Sequence, residues 1–576
     1  MPSEPTSRAR GSANELAPLA LCVGAALTAA FTPMLIWRYM TGDWVCLNDW
    51  DTSYYLRLAA QAYHHRTFYM SDAVVRGGVT GYPWLPFVPA ILLARIFDAG
   101  PFAVAFIWIS LSAIGIGSGL YFIFRHFLNS PWPAAGCAML CLSDFGFAER
   151  PFANQLRLLG EALWFQPAGP ITIPWQRVLH WRVPDPGLDL PFLLFQILAL
   201  ARARERPTRF NLGLSGFAFG LLFYVFFYCW TMAMTGLCIA FLLDRGARRV
   251  YAITLCIGSA IGLPQLLYTI HLGHLASPGA LNRLGLFVTA PRLYEESLPA
   301  LFILAMAAVA LWIWGPKRLE LAYIWSLVAG GILLSRSRVI SGVFFHEYHY
   351  GWLWTPIWLV LILIVAVSIA RMTLREWPAM TAICWAAAFV YFAAGLYLAA
   401  ICVTRTAPGV AELNTYMRYK AQRLTAGPFS PLLADATIAG DDRFCELAAI
   451  AEYQMPLDGP AVPISMAVSD GEWESRTALN AYLEGTDRAE FEKSAGASAQ
   501  LWFWESPGRE REVIAALMRK FDEIVRRPEV IIAQFGVRYV ALVADKPQMA
   551  YLRGGWTMLQ RGPYWQIWER DKKAAP

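Results

Sequence analysis

Apolar runs long enough to cross a bilayer recur along the first two thirds of the chain and then stop. About twenty predominantly apolar residues cross the hydrocarbon core as a helix. Runs at about 16–38, 101–124, 132–146 and 189–203 open the series. Two more lead to DRGARR at 244–249, two to PKR at 316–318 and two to RMTLR at 371–375, and a last run covers about 378–402. The pattern predicts about eleven transmembrane helices. Every second connection is short and basic: TSRAR at 6–10, FRHF at 124–127, RARERPTR at 202–209, then DRGARR, PKR and RMTLR. The positive-inside rule places these connections in the cytoplasm together with the N-terminus. That leaves 39–100 and 147–188 as long external loops. Within the first of them, YPWLPFVPAILLARIF is apolar but short and broken by proline, which predicts a helix lying along the interface.

The pattern changes at about 403. From 403 to 576 the chain is polar, with mixed charge and no spanning run. REVIAALMRKFDEIVRR has helical periodicity. VIIAQFGVRYVALVAD reads as a helix end or strand, a glycine turn and a β-branched strand, and YWQIWER reads as another short strand. The expected architecture is a polytopic α-helical membrane domain over 1–402 and a small extracytoplasmic α/β domain over 403–576.

Composition agrees with this division. The 576 residues are 57% hydrophobic and 16% charged, whereas soluble domains carry nearer a quarter charged residues. A net charge of +6 with no basic face or RNA-binding motif argues against nucleic acid as a partner. Most of the ten cysteines lie inside apolar runs, and no C-x-x-C pair exists. Cys46 and Cys445 lie in polar regions and could pair in an oxidising compartment.

The polar residues with chemical potential gather in the external connections. The first loop carries Asp49, Asp51, Tyr54, Tyr55 and Arg57 in NDWDTSYYLRL. The region leading into the second carries Asp144 and Glu149. The connection after the ninth run reads SRSRVISGVFFHEYHYGW, with Arg336, Arg338, His346, Glu347 and His349. Charge at a membrane boundary is paired or functional more often than idle. Each group also has a plain structural reading. Asp49 and Asp51 could be solvated loop acids. Arg336 and Arg338 could reach lipid phosphates. His346 and His349, three residues apart, could ligate a metal or hydrogen-bond to backbone and headgroups.

Taken together, these features resemble the GT-C superfamily of integral-membrane glycosyltransferases, which use sugars linked to polyprenyl phosphate or diphosphate. DTSYYLR, from Asp51 to Arg57, is similar to the acidic first-loop motif of oligosaccharyltransferase catalytic subunits. GYPWLP at 81–86 is similar to the segment that opens the interfacial helix in related mannosyl- and arabinosyltransferases, although Trp84 and Leu85 separate its prolines. The W-W-D-x-G hallmark of oligosaccharyltransferases is absent, so asparagine-linked glycosylation is not supported. A second-loop D-x-D or E-x-D pair is not evident either.

The resemblance implies transfer of a lipid-linked sugar to a glycan, lipid or protein acceptor. Asp51 would be the base, with Asp49 as second choice. Arg57, Tyr54, Tyr55, Arg336, Arg338, His346, Glu347 and His349 would line the substrate site. If a divalent cation (Mg or Mn) takes part, Asp51, Asp144 and Glu149 are its candidate ligands. Membrane lipids are the other expected partners. The arginine- and alanine-rich composition inclines the location to a bacterial inner membrane, with the C-terminal domain periplasmic. The rival expectations are a transporter or flippase, or a polymerase or ligase, of lipid-linked surface glycans. Mid-span charge, which a transporter would need, is nearly lacking.

Overall fold

The structure, a computed structural model, describes residues 7–143, 186–288, 318–373, 385–397, 411–503 and 507–571, apart from 45–46, 48–49, 69, 71, 73, 76–77, 79, 82–83, 278, 284–286, 345, 347–348, 395, 427–431, 433, 460–461, 464 and 547–549. The apolar runs fold as helices. In chain order these begin with α1 (Ser7–Thr41), α2 (Trp50–His65), α3 (Val88–Ile96), α4 (Phe102–Leu128) and α5 (Pro131–Ser143). They continue with α6 (Leu190–Glu205), α7 (Arg209–Leu222), α8 (Phe227–Leu243), α9 (Arg248–Leu275), α10 (Arg318–Leu334), α11 (His349–Thr373) and α12 (Trp385–Ala394). Among the described residues, four segments are long and apolar enough to cross a membrane: Glu15–Thr41, Phe102–Leu128, Arg245–Leu275 and His349–Ser368. Shorter apolar helices occupy Pro131–Leu142, Phe227–Leu243, Leu321–Leu334 and Trp385–Ala394. The chain is an integral membrane protein. The run expected before PKR and the 402/403 boundary lie outside the described residues.

Small residues set the closest helix contacts. On α7, Gly216 and Gly220 meet Ile257 and Ile261 of α9; on α9, Gly258 and Gly262 meet Phe219 and Phe223 of α7. Each helix therefore offers a G-x-x-x-G groove to the large side chains of the other, the device that brings backbones together where no hydrophobic effect drives association. The matched order of contacts makes the two helices parallel. Ser215 and Thr254 share a hydrogen bond of 2.8 Å inside this interface.

One end of the bundle is tied by the basic connections. Arg125 donates to Glu15 at 2.7 Å, His126 lies 3.5 Å from Glu205, and Arg204 donates to the fully buried Asp244 at 2.8 Å. The Tyr251 hydroxyl donates to the same Asp244 oxygen at 3.2 Å. These contacts bring the arginine-rich connections to one side of the bundle.

The C-terminal region forms an α/β domain on the opposite side. Its helices are α13 (Ala411–Ala426), α14 (Asp442–Ala451), α15 (Asp470–Glu484), α16 (Arg488–Phe503), α17 (Pro507–Arg526) and α18 (Pro528–Gln534). Besides the short pair β1 (Phe287–Val288) and β2 (Val343–Phe344), the strands are β3 (Thr437–Gly440), β4 (Met455–Pro456), β5 (Val537–Val543), β6 (Trp556–Arg561) and β7 (Trp565–Arg570). The sheet order is β4-β3-β5-β7-β6. β3 pairs in parallel with β4 and β5, while β7 pairs antiparallel with β5 and β6. β5 is the buried centre, with Tyr539, Val540, Ala541 and Leu542 each at most 2% exposed. The glycine turn expected before it is Gly536, at φ +59°. Cys445 is a free, buried thiol on α14, so it does not pair with Cys46.

Candidate functional site

The acidic first-loop motif is a helix, not the extended loop its polarity predicts. DTSYYLR forms the first two turns of α2, with Asp51 in the opening turn. A carboxylate there complements the N-terminal end of the helix dipole. From Thr52 to Ala62 every residue is buried, on all faces. A helix buried all round belongs to a core, and α2 packs against α3, α4 and α14 of the C-terminal domain. Its far end is capped by Arg95 of α3, which donates to the carbonyls of Ala62, Tyr63 (3.4 Å) and Thr67 (3.0 Å). Arginine suits that end of a helix.

Tyr55 stacks on Phe87 with ring centroids 5.5 Å apart, and Phe87 meets Trp108 edge-on at 5.6 Å. GYPWLP thus opens onto a buried aromatic layer, and Trp84 reaches Tyr224 at 6.1 Å. Tyr54 and Tyr55 belong to the packed interior, at 5% and 6% exposed. Arg57, expected to line the substrate site, lies in the packed interior. Six residues of helix turn it about 120° from the face of Asp51, and it is 1% exposed. None of its three guanidinium nitrogens has a hydrogen-bond partner among the described residues. Burial pushes its pKa down, while Glu446 of α14, Tyr54 and Asp72 push it up.

Two connections meet one segment of the C-terminal domain, 463–470, and a third joins them. From the first loop, Asp72 accepts from the Val74 and Val75 backbone N–H groups at 2.7 and 2.9 Å and from the Ser465 hydroxyl at 2.7 Å. After α9, the Ser277 N–H donates to Met466 O at 2.9 Å, and the buried Arg283 donates to Pro463 O at 2.8 Å, to Val468 O and to Asp470. The connection after α10 joins through β1–β2, where Phe287 opposes Phe344 and Val288 opposes Val343. The end of α1 is also held, since Lys420 and Tyr416 of α13 bind Asp43 at 2.7 and 2.9 Å. Sequence reading missed segment 463–470, PISMAVSD. Its only signal is Ser469 followed by an acidic first turn, the cap of α15.

Arg336 is half-buried, and its Nε has no partner among the described residues. Arg338 is 3% exposed and opens a single helical turn that ends at Gly342, φ +64°. His349 begins α11 and stacks on Tyr228 at 4.9 Å, and the His346 ring is 6.1 Å from it. Asp49, Asp144, Glu149 and Glu347 lie outside the described residues, and of Asp51 only the backbone is described. Among the described residues, one group of three donors lies close enough to hold a metal: His64, His65 and Asp435.

The fold and site define an integral membrane protein whose connections on one side of the helices are gathered under a C-terminal α/β region. No family model and no curated protein matches the chain. Two solved structures resemble it. The archaeal oligosaccharyltransferase AglB from Archaeoglobus fulgidus, in complex with an inhibitory peptide and a dolichol-phosphate, is 13% identical, with 92% of this chain and 69% of that chain covered and a TM-score of 0.45. ArnT from Cupriavidus metallidurans, bound to undecaprenyl phosphate, is 12% identical, with 97% and 98% covered and a TM-score of 0.49. With TM-scores under 0.5, the likeness transfers no residue role and no substrate to this chain.

Proposed function

We propose that the protein is a membrane glycosyltransferase that moves a sugar from a polyprenyl-phosphate or diphosphate donor to a glycan, lipid or protein acceptor at the extracytoplasmic face. The observation that carries this reading is the setting of the DTSYYLR motif. It lies in a helix buried on every face from Thr52 to Ala62 and clamped at its far end, a setting that supports a reacting group at its start. Rigid elements hold reacting groups better than loops do.

The orientation follows from the two ends of the bundle. The C-terminal domain docks at Thr41 and Ser277, the ends of α1 and α9 opposite the arginine-rich connections. The positive-inside rule makes that side extracytoplasmic, which is periplasm for a bacterial inner membrane.

The acceptor hydroxyl attacks the anomeric carbon, and the bond from that carbon to the donor phosphate oxygen breaks. The Asp51 carboxylate takes the hydroxyl proton, and the lipid phosphate leaves with the electron pair, needing no strong acid. Arg336 and Arg338 supply fixed positive charge for that phosphate. His346, Glu347 and His349 line the same connection. Holding donor and acceptor together can contribute roughly 7–11 kcal/mol. A divalent cation, if used, would sit on Asp51 with Asp144 and Glu149, and no step here is routed through it.

The test is release of polyprenyl phosphate from a panel of lipid-linked sugars by purified protein in lipid, with Asp51→Asn alongside. Release by the wild type that disappears in a normally folded Asp51→Asn is the expected result. Equal release by both removes Asp51 from the chemistry. Movement of intact donor across the bilayer without release would favour a transporter.

A further inference from the structure

The far end of α2 carries chemistry that the proposed transfer does not use. His64 and His65 end the helix, about 20 Å of helical rise from Asp51. His65 Nε2 lies 3.1 Å from Asp435 Oδ1, and a ring nitrogen of His64 completes a group whose members all lie within 4.8 Å of one another. Asp435 comes from the C-terminal domain, just before β3. The group therefore joins the membrane domain to the α/β domain.

Each donor is held by separate contacts. The Arg95 cap fixes the end of α2 beneath both histidines. The His64 ring stacks flat on Tyr453, with centroids 4.2 Å apart and planes 16° apart. The Asp435 N–H donates to Tyr453 O at 3.0 Å. Asp435 and Tyr453 both adopt left-handed backbone, at φ +61° and +56°, a conformation that disfavours residues with a Cβ. Two such residues, bonded to each other, place a carboxylate and an aromatic face against one histidine pair. Strain kept in one spot points to a function served there.

We infer that His64, His65 and Asp435 form a binding site for a transition-metal ion of the zinc class, which pins the C-terminal domain to the end of α2. Two imidazoles and one carboxylate suit zinc, whereas magnesium takes oxygen donors. Zinc bonds of about 2.0–2.2 Å place ligand atoms about 3.4 Å apart in a tetrahedron. The His65–Asp435 separation already meets this, and only His64 has to close in. The His65 side chain is 39% exposed, which leaves the fourth position open to water.

The plain alternative is a lone His65–Asp435 hydrogen bond, and metal titration separates the two. Full-length protein in lipid nanodiscs, with any affinity tag removed, is titrated with zinc chloride by calorimetry, and bound zinc is counted after desalting. One zinc per chain is expected. Affinity should fall at least tenfold in His65→Ala, His64→Gln and Asp435→Asn, and remain unchanged in Gly213→Ala, where an added Cβ meets open space. Zinc should raise the Tm of the wild type and not of these three variants, and magnesium should do neither. Absence of stoichiometric zinc in the wild type, or equal binding by all three variants, overturns the site. If His65→Ala does not fold, Asp435→Asn keeps the side-chain shape and gives the same decision. The readout needs no transferase activity, so the site and the proposed transfer fail independently.

Discussion

Arg57 presents an energetic problem that one substitution resolves. Its guanidinium is 1% exposed, and its three nitrogens lack hydrogen-bond partners among the described residues. An arginine stays charged even here. A buried ion costs several kcal/mol after relaxation. Against this stand the attraction of Glu446 and Asp72 and a cation–π contact with Tyr54 at 6.0 Å, the outer limit of a term worth about 0.5–1 kcal/mol. The residual is a penalty. Arg57→Met keeps the length of the side chain and removes the charge. It should stabilise the protein by about 1–3 kcal/mol, as when well-packed apolar groups replace buried ions, and raise Tm by roughly a few degrees.

Tryptophan-fluorescence melting in nanodiscs reads this directly. Glu446→Gln should lower Tm in the wild-type background and have a smaller effect beside Arg57→Met, a coupling that a double-mutant cycle isolates. Arg57→Ala should fall below the wild type, because it leaves a cavity. A Tm for Arg57→Met clearly under the wild-type value would refute the reasoning, since it would show that the guanidinium makes bonds essential to the fold. Polyprenyl-phosphate release by the same variant then assigns the charge. A stable but inactive Arg57→Met means that the donors meet an anion of the substrate, and full activity means that Arg57 serves only the packing of α2.

Gly258→Ala would place a Cβ 2.2 Å from Phe219 and 2.9 Å from the Gly216 carbonyl oxygen. It should cost about 1–3 kcal/mol by overpacking, whereas Gly213→Ala, with open space at its Cβ, should be neutral or stabilising. Melting of the two variants side by side checks this, and equal Tm values would dismiss the reciprocal glycine grooves. In the C-terminal domain, burial pushes the Asp458 pKa up to about 6, opposed by the Gly459 backbone and Arg476. Burial pushes Glu484 up to about 8, opposed by Lys546 and reinforced by Asp441, Asp458 and Glu490. Raised carboxyl pKa values favour the folded state below the unfolded values near 4, and that stability is lost as pH rises through the folded ones. Tm should therefore fall by roughly a few degrees between pH 5 and pH 8, and Glu484→Gln should flatten the slope. A Tm that rises over that range would contradict it.

The membrane domain was legible because its signal is additive over long windows. Twenty apolar residues and an arginine cluster survive errors at single positions, and the helices at 102–128 and 349–373 fall where the runs predict. β5, β7 and the helix Pro507–Arg526 were legible for the same reason, since alternation or helical period extends over six residues or more. α2 was not. Its buried surface covers all faces, Arg57 and Gln61 included, so no period separates an inside from an outside. β3 and β4 span four and two residues, too short for any pattern.

Those failures share a cause that bears on function. α2 is buried on every side because a second domain covers what a membrane loop would expose, and a sequence does not state which distant segment supplies the cover. The element of the C-terminal domain that covers it is α14, separated from α2 by about four hundred positions along the chain. Residues read as reaching for substrate, Tyr54, Tyr55 and Arg57, are therefore the means by which one helix is fixed between two domains. In the proposed reading, the chemistry falls to one end of that helix, at Asp51, and the metal group to the other, at His64 and His65.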